Sequence, residues 1–248
     1  MRTILVTGST GRLGRPTVAA LQAAGHDVRA LSRRAGPGLT TGDLLTGEGL
    51  RAALAGADTV VHLATGKAGT GDVAATERLL AASADAGVAH LVLISIVGIE
   101  DIPLRYYRDK VVIERLVRES GVPWTILRAT QFHPFVAEMF TAQRFSPVVV
   151  GLTFPLQPIA VEDVADRLAE LAGGAPAGRV PDIGGPERRT VRDLARVWTR
   201  ATGSRRPVVP LALPGRLFGA YAAGHALVPG PEYGRTTFED ALTERVTR

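Results

Sequence analysis

Three groups of residues have the types and spacing to do chemistry. In a chain of 248 residues, Gly8-Ser9-Thr10-Gly11-Arg12-Leu13-Gly14 sets three glycines at even spacing. Such glycines let the backbone turn sharply and approach a pyrophosphate. A helix opening just after them offers N–H donors and the positive end of its dipole. All seven residues of the loop are candidate contacts. Eighteen residues past Gly14, Ser32-Arg33-Arg34 brings one hydroxyl, two guanidiniums and no acid. A site that binds a free ribose 2′-OH usually places Asp or Glu here. Guanidiniums instead suit a 2′-phosphate, through their fork geometry. NADP(H) is therefore expected over NAD(H).

The third group is Tyr106 and Lys110, four residues apart at the start of an expected helix and so on one face. Ser95 ends the strand before it. Converging on a nicotinamide, the three would form a proton relay. The lysine cation would favour the ionised phenol and hold ribose hydroxyls, Tyr would give or take the carbonyl proton, and Ser would orient the oxygen. Lysine occurs only at 67 and 110, which makes Lys110 conspicuous. Tyr107 also faces Lys110, at i,i+3, so the choice between the tyrosines stays open.

Two further stretches belong with the cofactor. Gly42-Asp43-Leu44 follows the third strand region, where Asp43 and Leu44 could meet an adenine; a plain turn aspartate is equally compatible. Leu63, Ala64 and Thr65 end a strand and leave room for a ribose. His62, within that strand, is read as structural.

The elements that must position these groups alternate. Strands are expected at 3–7, 27–31, 59–63, 90–95 and 124–128, with helices at 16–24, 49–55, 72–86 and 107–120 between them. Short buried runs alternating with helices imply an α/β fold, a Rossmann-type doubly wound parallel sheet. Beyond about residue 146 prolines break the chain into short pieces, with helices expected at 161–172 and 190–202. Residues 1–150 are read as the NADP(H)-binding core. Residues 151–248 are read as a smaller C-terminal substrate lobe that completes the same domain over the sheet's carboxyl edge.

On these motifs the chain resembles an atypical short-chain dehydrogenase/reductase of the NmrA-like NAD(P)-binding group. The stretches that carry the likeness are 7–14, Tyr106 to Lys110, Trp124 to His133, Gln157 to Ala165 and Gly184-Gly185-Pro186. The resemblance implies a Rossmann core with NADP(H) in its cleft, and gives Gly8, Gly11 and Gly14 the phosphate-loop roles and Arg33 the 2′-phosphate. Tyr106 and Lys110 take the Tyr-x-x-x-Lys roles. Ala129, Thr130 and Phe132 would close over the nicotinamide, with His133 and Phe135 toward substrate. One departure is that Ile96-Val97-Gly98 follows Ser95, with no second hydroxyl. The implied activity is hydride transfer between nicotinamide and a small apolar carbonyl or quinone. The group also contains proteins that bind the cofactor without turning it over and act through a partner protein.

Composition excludes other classes. Hydrophobic residues make 46% of the chain, ordinary for a globular fold. There is no cysteine, hence no disulfide and no thiolate chemistry. The five histidines lack paired ligand spacing, so no metal is expected. The formal charge of +5 comes from scattered arginines and does not point to nucleic acid. No apolar run spans a membrane or forms a leader, so a cytoplasmic protein is expected. Phenylalanines 132, 135, 140, 145 and 154, with Met139, are read as a cleft mouth or as plain packing. The apolar stretch 212–228 is read as a lid or a homodimer face.

Overall fold

A computed structural model describes residues 1–66 and 71–246. Lys67 lies outside them. In chain order the elements are β1 (Thr3–Thr7), α1 (Gly14–Ala23), β2 (Asp27–Ser32), β3 (Leu39–Thr41), α2 (Leu50–Leu54), β4 (Thr59–His62), α3 (Asp72–Asp85), β5 (His90–Ile96), α4 (Arg105–Glu119), β6 (Trp124–Ala129), α5 (His133–Thr141), β7 (Val149–Leu152), β8 (Pro155–Leu156), α6 (Val161–Gly173), β9 (Gly178–Arg179), β10 (Arg189–Thr190), α7 (Val191–Ala201), β11 (Val208–Leu211), α8 (Arg216–Ala222) and α9 (Phe238–Val246). They group into two compact units. The first takes 1–95, 105–128 and 164–181; the second takes 96–104, 129–163 and 182–248.

The first unit is built on a seven-stranded sheet of order β3-β2-β1-β4-β5-β6-β9. β1 pairs in parallel with both β2 and β4. The fold is Rossmann-like α/β, as the alternation of elements requires. The chain leaves β1 toward one side to build β2 and β3, then returns past it to build β4. That reversal opens a crevice at the carboxyl ends of β1 and β4. The central strands β1, β4, β5 and β6 are buried along most of their length because both faces are covered. Leu5, Val60, Leu91 and Ile126 from four strands meet Leu79 and Leu80 of α3 and Ile113 and Val117 of α4. α4 buries Tyr107, Lys110, Ile113, Glu114 and Val117, a helical three-four spacing that puts two ionisable groups inside.

Glu114 is fully buried and takes a bidentate pair from Arg128 on β6, Nε to Oε1 and Nη2 to Oε2, both at 2.7 Å. Arg118 Nη2 reaches the same carboxylate at 2.6 Å. Burial alone would raise the Glu114 pKa. The Arg128 hydrogen bonds, the nearby Ser95 hydroxyl and the charges of Arg128 and Arg118 hold it below the ordinary value. Removing one member of such a pair strands a charge in a medium that solvates it poorly. Glu114→Ala is expected to cost about 3 kcal/mol in urea unfolding. An unchanged midpoint would mean that water solvates Arg128 once the carboxylate is gone.

The second unit holds two small sheets. β7 and β11 run parallel, and β8 and β10 antiparallel. α7 is capped by Thr190, whose Oγ1 accepts from Asp193 N at 3.1 Å. Gln157 ties this unit together. Its Nε2 donates to the Gly185 carbonyl at 2.9 Å, its Oε1 accepts from Val228 N at 3.0 Å, and its own carbonyl accepts from Thr130 Oγ1 at 2.5 Å. At Gly185 a Cβ would stand 1.6 Å from the Pro158 carbonyl oxygen, so only glycine allows the chain to pass. The stretch 212–228 contains α8, where Tyr221 and Phe218 stack on Phe154 with centroids at 4.8 and 6.3 Å. Helix α5 was not foreseen. Pro134 at its second position starts it, and its buried Phe140 packs on Trp198 at 5.9 Å.

Candidate cofactor site

The first unit carries a cavity of about 1080 Å³ at the carboxyl ends of β1 to β4. Its walls are the glycine loop after β1, residues 31–34 at the end of β2, residues 42–45 after β3, residues 63–66 after β4, and the start of α3. All but the start of α3 are crevice segments expected from sequence, and their convergence follows from the strand order.

The loop is shaped as a cradle. Gly8 has φ +67°, and a Cβ there would meet the Ala64 backbone at 2.8 Å. At Gly14 a Cβ would come within 2.1 Å of the Gly8 carbonyl oxygen. Gly11 N donates to that same oxygen at 2.9 Å, closing the turn. Ser9 is buried and its Oγ donates to the Leu31 carbonyl at 2.8 Å, which ties the loop to β2. α1 has no side-chain cap and no acid in its first turn. Its N-terminus thus keeps its partial positive charge facing the cavity.

Ser32 ends β2, and its Oγ accepts from Arg34 N at 3.1 Å. That short turn leaves Arg33 and Arg34 exposed on the cavity wall, with no ion pair among the described residues. Asp43 lines the wall too, but its Oδ1 accepts from Leu45 N at 2.7 Å, as a turn aspartate does. The residues present fit a phosphorylated dinucleotide: a cradle that a Cβ would fill, an uncapped helix N-terminus and two uncommitted guanidiniums.

At the β4 edge the structure separates the two tyrosines. Tyr107 is buried, whereas Tyr106 OH lies 3.3 Å from Thr65 Oγ1 on the cavity wall. Lys110 Nζ stands over the Tyr106 ring, 5.6 Å from its centroid. The amine is in a residue only 5% exposed and has no ion pair among the described residues. Its N–H donors are open to a ligand's hydroxyls. Ser95 is near the end of β5. Its Oγ is buried, makes no hydrogen bond of ordinary geometry, and faces the Glu114 carboxylate.

His62 is held on both ring nitrogens. Thr7 Oγ1 accepts from Leu63 N and Ala64 N at 3.2 Å, so its own proton goes to His62 Nδ1 at 2.7 Å. Thr76 Oγ1 donates to the Asp72 carbonyl and therefore accepts from His62 Nε2 at 3.1 Å. The ring is neutral. Burial, and then the charge of Lys110, lower its pKa from 6.5 to about 3. Asp72, missed from sequence, lies in the cavity wall and accepts from Gly66 N at 2.5 Å. The unfolded chain protonates His62 below pH 6.5 while the native state resists down to about 3, so this histidine makes stability fall as pH drops through that window. The slope approaches about 1.4 kcal/mol per pH unit for each such histidine. His90, lowered by burial and then by the charge of Arg2 to about 4, acts in the same direction. Urea titrations at stepped pH check this, and His62→Asn is expected to flatten the slope.

The residues expected around nicotinamide and substrate lie in the second unit. Ala129 and Thr130 are buried, and Thr130 N donates to the Ile183 carbonyl at 3.0 Å. Phe132 caps α5 and bridges to Ile159. His133 is buried, donates through Nε2 to the Pro158 carbonyl at 3.1 Å, and meets Phe238 edge-on. Phe135 is 54% exposed.

A crevice at the strand-order reversal, floored by a glycine loop that opens a helix, defines an NAD(P)-binding Rossmann protein. A model of the NAD(P)H-binding family matches residues 8–173, and the chain belongs to that family. It is 34% identical over 217 residues to the (4-alkanoyl-5-oxo-2,5-dihydrofuran-3-yl)methyl phosphate reductase of Streptomyces griseus subsp. griseus, covering 81% of this chain and 74% of that one. A nucleoside-diphosphate-sugar epimerase structure from Staphylococcus aureus superposes with TM-score 0.82 at 17% identity, over 97% of this chain and 99% of that one. An NADPH-dependent quinone oxidoreductase from Escherichia coli, complexed with NADPH, gives 0.77 at 18% identity, over 98% and 99%. A short-chain dehydrogenase/reductase superfamily protein from Agrobacterium tumefaciens gives TM-score 0.74 at 22% identity, over 99% of this chain and 96% of that one, and curated relatives of this chain include reductases. Among the described residues no helix is long and apolar enough to cross a membrane. No cluster of three or more metal-ligating side chains occurs there either.

Proposed function

We propose that this protein is a cytoplasmic NADP(H)-dependent oxidoreductase acting on a small apolar carbonyl or quinone. The observation that carries the reading is the Tyr106–Lys110 pair: a phenol 3.3 Å from Thr65 of the cavity wall, with the amine of a largely buried lysine over its ring. The reduced nicotinamide, when bound, supplies a hydride. The chain's residues do the rest. The glycine loop and the start of α1 hold the pyrophosphate, and Arg33 and Arg34 hold the 2′-phosphate. Lys110 holds ribose hydroxyls and keeps positive charge beside the phenol. Tyr106 delivers its proton to the substrate oxygen, breaking the phenol O–H bond and forming the substrate's, and is reprotonated from water. With a quinone, the anion formed is a stabilised phenoxide that solvent can protonate afterwards, so Tyr106 matters less.

The test is oxidation of NADPH by purified protein across quinones, aldehydes and ketones, with NADH in parallel. Turnover with NADPH well above NADH supports the reading. Tight NADPH binding with no turnover on any of them points instead to a cofactor-sensing protein that acts through a partner.

A further inference from the structure

We infer that Thr65 supplies a hydroxyl that orients the Tyr106 phenol. The inference rests on the reading of Tyr106 as the proton donor. Ser95 Oγ faces Glu114, which lies eight residues beyond Tyr106 on α4, about 12 Å along the helix axis. Ser95 is the penultimate residue of β5, but its Oγ is buried with Arg128 and Glu114 and makes no hydrogen bond to Tyr106. Thr65 stands beyond the end of β4 at that edge, exposed, with its Oγ1 at 3.3 Å from Tyr106 OH. Lys110 approaches the ring face of the same tyrosine, so hydroxyl and amine act on different parts of it.

The chemistry follows from hydrogen-bond valence. With the phenol proton turned toward a substrate oxygen, the Tyr106 oxygen still has an acceptor lone pair, and Thr65 O–H can donate to it. When the phenol proton leaves, that donation goes to an anionic oxygen and strengthens. Thr65 transfers nothing. It is a positioning residue that fixes the phenol's direction and steadies its ionised form.

The contact can be read without cofactor. The chain has four tyrosines, so protein labelled with 3-fluorotyrosine gives a fluorine spectrum in which Tyr106→Phe identifies one resonance. That resonance is expected to move in Thr65→Val and to return in Thr65→Ser. With NADPH and a carbonyl substrate, Thr65→Val is expected to lower kcat about tenfold, the worth of one long hydrogen bond to a developing charge, while the NADPH Kd changes less than about twofold. Thr65→Ser should recover most of the rate. An unmoved resonance overturns the inference. So does an unchanged kcat with NADPH binding weakened by a similar factor, which would make Thr65 only part of the cofactor wall. A slow Tyr106→Phe beside an unaffected Thr65→Val overturns the role of Thr65 alone. Wild-type carbonyl rates in Tyr106→Phe overturn the reading of Tyr106 itself.

Discussion

Replacing Arg33 and Arg34 together by alanine is expected to weaken NADPH binding about a thousandfold and to leave NADH binding nearly unchanged, since each charge-assisted contact to a phosphate contributes about 1.5–3 kcal/mol. The two guanidiniums are exposed on the cavity wall and carry no ion pair among the described residues. Their charge is thus not spent within the protein. The turn that presents them is fixed by Ser32 Oγ accepting from Arg34 N, an interaction the double substitution leaves intact. The loss should therefore fall on the 2′-phosphate alone. Fluorescence titration with both cofactors reads it directly. Equal weakening of NADPH and NADH would mean that the arginines shape the adenosine site rather than bind its phosphate. The single variants should each lose part of the effect, with Arg33→Ala the larger.

Tyr106→Phe is expected to lower kcat for an aldehyde or ketone by about a hundredfold to ten-thousandfold, the usual range for loss of a placed proton donor. KM and NADPH Kd should change little, because the ring and its contact with Lys110 remain. Quinone reduction should fall far less, since solvent can supply those protons. The contrast between substrate classes separates chemistry from misfolding, which would lower both rates alike. Tyr107→Phe provides the reference: Tyr107 is buried beside the helix core, and its variant should keep the carbonyl rate. Loss of both activities in Tyr106→Phe with a normal unfolding midpoint would assign the tyrosine to binding.

Much of this architecture was legible because it is local. A β-branched run, a glycine loop and a helix with proline in its first turn specify β1 and α1 within a few residues. The burial of both sheet faces makes the later strands stand out as apolar runs. The helices expected at 161–172 and 190–202 correspond to α6 and α7 within about a residue at each end. Position along β2 was enough to put Arg33 and Arg34 just past a strand end, where an α/β sheet binds ligands. Helix α5 was less legible, since its nine residues are mostly apolar all round and carry no clear amphipathic stripe.

By itself, then, the sequence determined the α/β order of elements, the glycine loop that opens α1 and the basic tip of β2, all of which follow from short-range stereochemistry and the periods of strand and helix. Only the tertiary structure decided which tyrosine reaches Thr65 on the cavity wall, that Ser95 Oγ makes no hydrogen bond to that tyrosine, that His62 is neutral between two threonines, and that Glu114 is bound to Arg128. Those pairings join residues 14 to 55 apart in sequence. Helical spacing allowed both Tyr106 and Tyr107 to face Lys110. The packing of α4 against the sheet set its rotation and depth, and so fixed which groups lie at the carboxyl edge and which lie beneath it.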